Sequence, residues 1–416
     1  MARKRIREVE LTIEGLSPEG LGTGRWEDRP VQLRNALPGE IVRGTVLKRH
    51  RGVLYAEAQT PSERSPLRTD PPCPFFPRCG GCVLQHVDYE AQLRHKQGLL
   101  VRELEASGVK PGRLRAPASG PRFHYRHKAR LGVRVVGDRL LVGFRESFSN
   151  RVSRMDHCST LARPFADALP ALQQTLAELE TRERIPQVEL AAGDDQFAYV
   201  VRHLVPLPAA DEARLREFAR QARGIVYLQG GGYDSVRPLD PVRTPPTLSY
   251  VNTDYGLSYD FEPSDFTQVN PQVNRMLVRR AVLALEPLAG RTVADLFCGI
   301  GNFSLALARR GASVRGYESA PGAIARARAN ALNNGLAGNA EFRVADLYDA
   351  PGRALPEGSA RINDGAQGPG TRRRPPARGA TGSSASRVAR PPVARWKVVR
   401  DSSPCSVEAK YLATRV

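Results

Sequence analysis

Val293-Ala-Asp-Leu-Phe-Cys-Gly-Ile-Gly-Asn-Phe303 decides how the chain is read. An apolar run reaches Asp295, a turn carries Gly299 and Gly301, and a helix-forming segment runs from Phe303 through Leu305, Leu307 and Arg310 to Gly311. Strand, tight turn and helix in that order let bare backbone approach a ligand at the turn. A second strand, Ala312 to Tyr317, ends in Glu318, where a carboxylate can accept hydrogen bonds from a ribose diol. The turn lacks the full G-x-G-x-x-G spacing, which disfavours NAD. The D-x-F-x-G-x-G form with Glu at the second strand end suits S-adenosylmethionine, which has a ribose but no pyrophosphate. Taken alone, the stretch is also compatible with a purely structural βα turn.

Upstream, Phe261 to Asn270 leads into a helix through Val273, Leu277, Val278 and Val282, with Asn270-Pro271 as its start. Gln268 therefore stands just before the nucleotide unit and could lie over its cofactor. Downstream, a helix from Pro321 through Ile324, Ala327 and Leu332 reaches a cap at Gly335. The strand Glu341 to Ala345 then delivers Asp346, a partner for an adenine amino group.

At 416 residues the chain predicts two or three domains. Its 62 Lys and Arg against 43 Asp and Glu give a net charge of +19, which attracts polyanions, nucleic acid before anionic membrane. No apolar run approaches the roughly 20 residues of a membrane span, and a soluble cytoplasmic protein is expected. The basic start, Met1 to Ile6, is short enough to be a solvated end. Six cysteines in so long a chain argue against a disulfide framework and towards metal or redox chemistry.

In the first sixty residues, Glu8–Ile13, Val31–Leu33, Glu40–Lys48 and Val53–Ala58 read as short strands separated by glycine-rich turns, an OB-like β-barrel. Arg25, Arg34, Arg43, Lys48, Arg49, His50 and Arg51 are expected on its surface, as an RNA-binding face or simply a solvated one. Cys73, Cys79 and Cys82 then fall in C-x5-C-x2-C spacing on a Pro- and Gly-rich loop, and Cys158 could complete four thiolates. Zinc and an iron–sulfur cluster both suit such a set. Phe123-His-Tyr-Arg-His-Lys-Ala-Arg130 interleaves aromatics with cations, either to stack bases and hold phosphates or as an amphipathic edge strand. Helices through Tyr89–Leu104, Pro164–Leu179 and Leu215–Ala222 and strands at Leu131–Val136, Val188–Leu190, Phe197–Val201 and Ile225–Leu228 form an α+β segment. Pro238 to Pro246 reads as a linker.

Together these motifs resemble the RNA uracil-C5 methyltransferases, in the branch with an N-terminal TRAM barrel and a [4Fe–4S] cluster. The resemblance rests on Cys73…Cys79-Gly-Gly-Cys82-Val-Leu-Gln-His86, Tyr125-Arg126 with Lys128-Ala-Arg130, Gly143-Phe-Arg-Glu146, Asp156-His-Cys158, Asp265-Phe-Thr-Gln-Val-Asn270 and Asp295 to Phe303. It implies a multidomain chain: a TRAM-like OB β-barrel over 1–63, a central RNA-binding α+β domain with the cluster loop over 64–250, and the first half of a Rossmann-like α/β methyltransferase domain over 251–350. It further implies a cluster on Cys73, Cys79, Cys82 and Cys158. S-adenosylmethionine contacts are implied for Gln268, Phe297, Asn302, Glu318 and Asp346. Family substrates are uridines, in ribosomal RNA rather than tRNA for a member with both barrel and cluster. Family chemistry adds a cysteine thiolate at C6 of an unstacked uracil and uses a carboxylate to remove the C5 proton.

The family's Asp-Pro-Pro-Arg and Ser-Cys-Asn-Pro motifs are not in this sequence, so no catalytic residue is carried over. Cys405 stands in Ser-Ser-Pro-Cys-Ser, and Cys298 stands in the cofactor turn, where the family has no nucleophile. Residues 351–416 hold 13 Lys and Arg against 4 Asp and Glu, with few large aliphatics. That composition predicts a basic disordered tail or, the favoured reading, a segment from a shifted reading frame. A non-catalytic RNA-binding protein is the alternative function, and a radical or redox enzyme a weaker one, since four thiolates would close the cluster. The incomplete domain should also leave the edge of its first strand unpaired.

Overall fold

The computed structural model describes residues 8–241 and 247–347, and the backbone of residues 398–400. The chain divides into two compact units, Met1–Arg280 and Ala281–Val416.

The first unit opens with six strands: β1 (Glu8–Thr12), β2 (Gly15–Leu16), β3 (Gly22–Trp26), β4 (Arg29–Arg34), β5 (Ile41–His50) and β6 (Val53–Ala58). They form one sheet in the order β1-β5-β6-β4-β3-β2. Alternation along them puts Val9, Leu11, Val31, Leu33, Val42 and Leu54 into a shared core. Arg34 departs from the surface position that the sequence suggests. It is only 7% exposed, pairs with Glu57, and donates to the carbonyls of Arg78 (3.5 Å) and Ser147 (3.4 Å). Loops distant in sequence cover it, which strand periodicity cannot show.

Helix α1 (Tyr89–Ala106) starts at Asp88, whose carboxylate accepts from the Ala91 amide at 3.1 Å. The next sheet holds β7 (Lys128–Val136), β8 (Arg139–Gly143), β9 (Gln187–Ala192), β10 (Phe197–Arg202), β11 (Ile225–Gln229) and β12 (Val236–Pro238). Its order is β12-β11-β10-β9-β7-β8, so β7 is an inner strand rather than an edge. Helices α2 (Arg163–Glu178) and α3 (Ala209–Gln221) bring Phe165 and Phe218 edge-on against Tyr199 at 5.3 and 4.9 Å. A hairpin that the sequence reading missed, β13 (Leu248–Asn252) with β14 (Leu257–Phe261), stacks Tyr250 on Tyr259 at 4.9 Å. Helix α4 (Pro271–Leu285) begins where expected, with Asn270 Oδ1 accepting from the Val273 amide at 3.1 Å.

The second unit carries β15 (Thr292–Leu296), α5 (Ser304–Arg309), β16 (Ser313–Glu318), α6 (Pro321–Asn333), β17 (Ala340–Val344) and β18 (Val398–Arg400). The order is β17-β16-β15-β18; the first three strands are parallel and β18 is antiparallel to β15. The edge of β15 is thus not left unpaired: Val293, Ala294 and Asp295 face Arg400, Val399 and Val398 in the ladder. The expectations for Met1–Ile6, for Cys405 and for the rest of 351–416 lie outside the described residues, as does most of the Pro238–Pro246 stretch.

Candidate functional site

Parallel pairing aligns the carboxyl ends of β15, β16 and β17: Leu296 faces Tyr317, and Glu318 faces Val344. In an open α/β sheet this is the edge at which ligands bind. Four of the five residues implied for S-adenosylmethionine leave the sheet there. Phe297 follows β15 directly, with φ +63°, a left-handed conformation rare for a bulky residue and a mark of functional strain. Asn302 is half-buried beyond the two glycines. Gly301, at φ +93°, sits where a Cβ would stand 3.3 Å from the Phe342 ring. The turn is held shut by Cys298 N–H donating to the Tyr317 carbonyl and Gly301 N–H donating to the Cys298 carbonyl, both at 3.0 Å.

Glu318 closes β16 and uses one oxygen, Oε1, to accept from the amides of Ser319 (2.7 Å) and Ala320 (3.1 Å). That fixes the carboxylate at the head of α6. Asp346, exposed, follows β17. Gln268 belongs to the other unit. It follows a tight turn in which Asp265 Oδ2 accepts from the Glu262 amide at 2.7 Å.

Asp295, near the end of β15, is 3% exposed. Burial pushes its carboxyl up to about 7, against the hydrogen bond it accepts from Ser304 Oγ at 2.6 Å, and Glu318 adds repulsion. Sequence reasoning missed this Asp–Ser pair; the D-x8-S spacing across a turn was its only trace. Cys298 is 1% exposed, and burial, with Asp295 and Glu318 beside it, drives its thiol far above the ordinary range. A thiol held neutral that strongly does not attack a pyrimidine.

Elsewhere, Cys73, Cys79, Cys82 and Cys158, together with Phe144 and Met155, line one pocket that is partly open to solvent and spans about 340 Å³ including the solvent at its mouth. No carboxylate lines it. Burial pushes Cys79 up to about 11, with Cys82 and Cys158 contributing repulsion, and Cys82 is raised by burial with contributions from Cys158 and Cys73. Four thiols that feel one another in an apolar cavity are a donor set for a thiophilic metal, which must displace their protons to bind. Among the described residues, no three His, Cys, Asp or Glu side chains already stand at metal-ligating spacing. The cavity loop is pinned from below. Gly80 N–H donates to the Arg145 carbonyl at 2.9 Å, so close that a Cβ on Gly80 would meet that oxygen at 2.5 Å.

The cations of Phe123–Arg130 are largely engaged by other groups of the protein, Arg126 and Lys128 partly buried and Arg130 exposed. Arg126 lies over the Phe144 ring at 5.4 Å and donates to the Gly81 carbonyl at 3.3 Å. Lys128 donates to the Asp265 carbonyl, and Arg130 pairs with Glu189 at 2.8 Å. Their first role is architectural.

A parallel sheet with a glycine-bearing turn at the carboxyl ends of its strands, joined in sequence to a small barrel and a thiol loop, defines an S-adenosylmethionine-dependent RNA methyltransferase fold. Residues 248–345 match the tRNA (uracil-5-)-methyltransferase family, and residues 2–58 match the TRAM domain. The 23S rRNA (uracil(1939)-C(5))-methyltransferase RlmD of Azoarcus sp. strain BH72 is 44% identical over 341 residues, covering 81% of this chain and 78% of the relative. The enzyme of the same name from Hahella chejuensis is 41% identical over 351 residues, covering 83% and 78%. Among solved structures, the Pyrococcus abyssi tRNA (uracil-54, C5)-methyltransferase in complex with S-adenosyl-L-homocysteine superposes with a TM-score of 0.60 at 22% identity, over 81% of this chain and 79% of that one. At that identity the likeness is one of fold. The chain belongs to the RNA uracil-C5-methyltransferase family. Among the described residues no helix is long and apolar enough to cross a membrane.

Proposed function

We propose that this protein methylates C5 of a uridine in 23S ribosomal RNA, with S-adenosylmethionine as donor, in the cytoplasm. The observation that carries the proposal is the arrival of Phe297, Asn302, Glu318 and Asp346 at the carboxyl ends of three adjacent parallel strands. On this proposal, Glu318 accepts from the ribose hydroxyls, Asp346 accepts from the adenine amino group, and Phe297 and Asn302 line the turn between them. Gln268 is assigned a cofactor contact from the preceding segment. S-adenosylmethionine, when bound, supplies an electrophilic methyl group. The relatives named for uridine 1939 of 23S rRNA supply the substrate class.

We assign Cys73, Cys79, Cys82 and Cys158 to a [4Fe–4S] cluster, on the strength of the one largely apolar pocket they share and the absence of carboxylates from its lining. The domain division at 63, 250 and 350 is part of the same proposal. Thiolate addition and proton removal need a cysteine and a base, and no residue of this sequence is assigned to either role, because the motifs that carry them in the family are not in it. The buried Cys298 is unsuited, and the Ser-Cys-Asn-Pro motif is missing from the sequence. That specific absence favours a second reading, a protein that binds RNA and cofactor without turnover.

One assay separates the two. Purified protein is incubated with tritiated S-adenosylmethionine and unmodified 23S rRNA, while cofactor binding is measured by calorimetry. Label at C5 of a uridine establishes the transferase. Cofactor and RNA binding with no label establishes the binding protein.

A further inference from the structure

The surface where the barrel meets the cavity loop holds three side chains that the methyl-transfer reading leaves unused. Lys48 on β5 stands directly across the ladder from Tyr55 on β6. The pairing slips between Val46 and Lys48, leaving Leu47 as an extra residue. Without that bulge, Lys48 would share the parity of Val46, which packs against the barrel core. With it, Lys48 is turned to the outer face beside Tyr55. The third member, Phe148, comes from the loop between Gly143 and Val152. Its ring centroid lies 5.1 Å from that of Tyr55, at an interplanar angle of 55°. The Lys48 ammonium sits over both rings, 5.2 Å from Tyr55 and 5.8 Å from Phe148.

The loop presents Phe148 at a cost. Its φ is +62°, an outlier for a bulky side chain. The neighbouring backbone holds it there: Ser147 N–H donates to the Arg78 carbonyl at 3.2 Å, Glu146 N–H donates to the Arg151 carbonyl at 2.9 Å, and Arg34 reaches the Ser147 carbonyl at 3.4 Å. Strain over-determined by surrounding bonds marks a positioned group. Both rings are only half-buried, and Lys48, Arg49, His50 and Arg51 beside them are exposed.

We propose that Tyr55, Phe148 and Lys48 form a binding site for one unstacked nucleotide of single-stranded RNA, built half on the barrel and half on the loop. The proposal rests on the RNA-substrate reading above. Two tilted rings form a notch whose faces accept a base by stacking, and Lys48 stands over them for the adjoining phosphate, with exposed Arg49 and Arg51 next to it in sequence. Magnitudes favour the exchange. An exposed cation over a ring is worth about 0.5–1 kcal/mol, less than base stacking on an aromatic, so a base displaces the ammonium, which turns to a phosphate. The notch requires both parts of the chain, so neither the barrel alone nor the loop alone would hold the base.

The test is fluorescence anisotropy of the full-length protein with a labelled 12-nucleotide single-stranded RNA across a series of salt concentrations. Tyr55→Leu and Phe148→Leu should each weaken binding roughly tenfold at fixed salt, leaving the salt dependence unchanged. Lys48→Met should instead flatten the log–log salt slope by about 0.7. Tyr55→Phe and Phe148→Tyr, which keep the rings, should bind as the wild type does; this separates stacking from a folding defect. On the unaltered protein, 4-thiouridine in the RNA should crosslink to peptides containing Tyr55 or Phe148. Wild-type binding with both Leu variants within twofold, or crosslinks confined to other peptides, overturns the site while leaving the RNA-substrate reading intact. No RNA binding by the wild type overturns both.

Discussion

Asp295→Asn tests the electrostatics at the carboxyl end of β15. The carboxyl of Asp295 ionises at about 7 in the folded chain against an ordinary 3.8, chiefly because burial removes its hydration. Below pH 3.8 both folded and unfolded forms are protonated, and the group contributes no pH dependence. Between 3.8 and about 7 the unfolded chain has released the proton that the folded one keeps. The unfolded state then binds fewer protons, and stability falls as pH rises. Above about 7 both are ionised, and the accumulated loss reaches an upper bound of about 4 kcal/mol. Asparagine keeps an oxygen for the Ser304 hydroxyl, which lies 2.6 Å from the carboxylate, and carries no charge. The variant's stability relative to wild type should therefore rise by several kcal/mol, up to that bound, between pH 4 and pH 8. Its unpartnered amide hydrogens lower the whole difference by about 1–3 kcal/mol without altering its slope. Because the chain has two units, a single melting curve is ambiguous. Hydrogen exchange of peptides spanning residues 292–307, corrected for intrinsic rates, reads the local opening energy instead. Parallel curves for variant and wild type from pH 4 to 8 would refute the burial argument.

Three further perturbations follow from the geometry. Arg68→Ala strips the fully buried Glu40 of a partner whose Nη2 lies 2.7 Å from it; it should lower stability by about 3–5 kcal/mol, measured by hydrogen exchange of peptides from the barrel strands. Burial opposes ionisation of Glu40, but Arg68 and the amides of Leu37 and Ser65 outweigh it and hold its carboxyl below 4.5. The stabilisation is thus present above 4.5 and is lost as pH falls through the lower folded value. Glu318→Gln replaces the charged acceptor proposed for the ribose and should weaken S-adenosylmethionine binding about tenfold by calorimetry; unchanged affinity would remove Glu318 from the cofactor site. Anaerobically purified protein should carry iron and visible absorbance that Cys79→Ser abolishes, whereas zinc in the wild type would displace the cluster assignment.

Where local periodicity decides, the sequence was legible. The apolar alternation of Val9 and Leu11 and the Asn270-Pro271 helix start both appear where they were expected. The strand ends at Glu318 and before Asp346 follow from the same periodicity, and with them the positions of the residues proposed for the cofactor. The hairpin of β13 and β14 was missed because its two strands sit between a proline-dense stretch and the Asp265 motif, although Asp254-Tyr-Gly256 is a turn signal. Arg34 was misplaced for a different reason: its partners lie 44 and 113 residues away in sequence. Long-range contacts of that kind leave no trace in spacing. The same holds for β18 beside β15, whereas Cys158, though distant in sequence, was expected beside Cys73, Cys79 and Cys82 and lines their pocket. Leu47 shows the limit of alternation itself, since a single inserted residue reverses the face of everything after it.

The bonds of Arg34 have an evolutionary consequence. Its guanidinium meets the main-chain oxygens of residues 78 and 147, which every amino acid carries. Substitutions at those two positions can accumulate without breaking the joint, so long as the loops keep their path. The demand for compensation falls instead on Glu57, the side chain that pairs with it. In a set of diverged sequences, positions 34 and 57 should therefore change together, while 78 and 147 drift, and coevolution would be blind to the very contacts that tie the barrel to the loop.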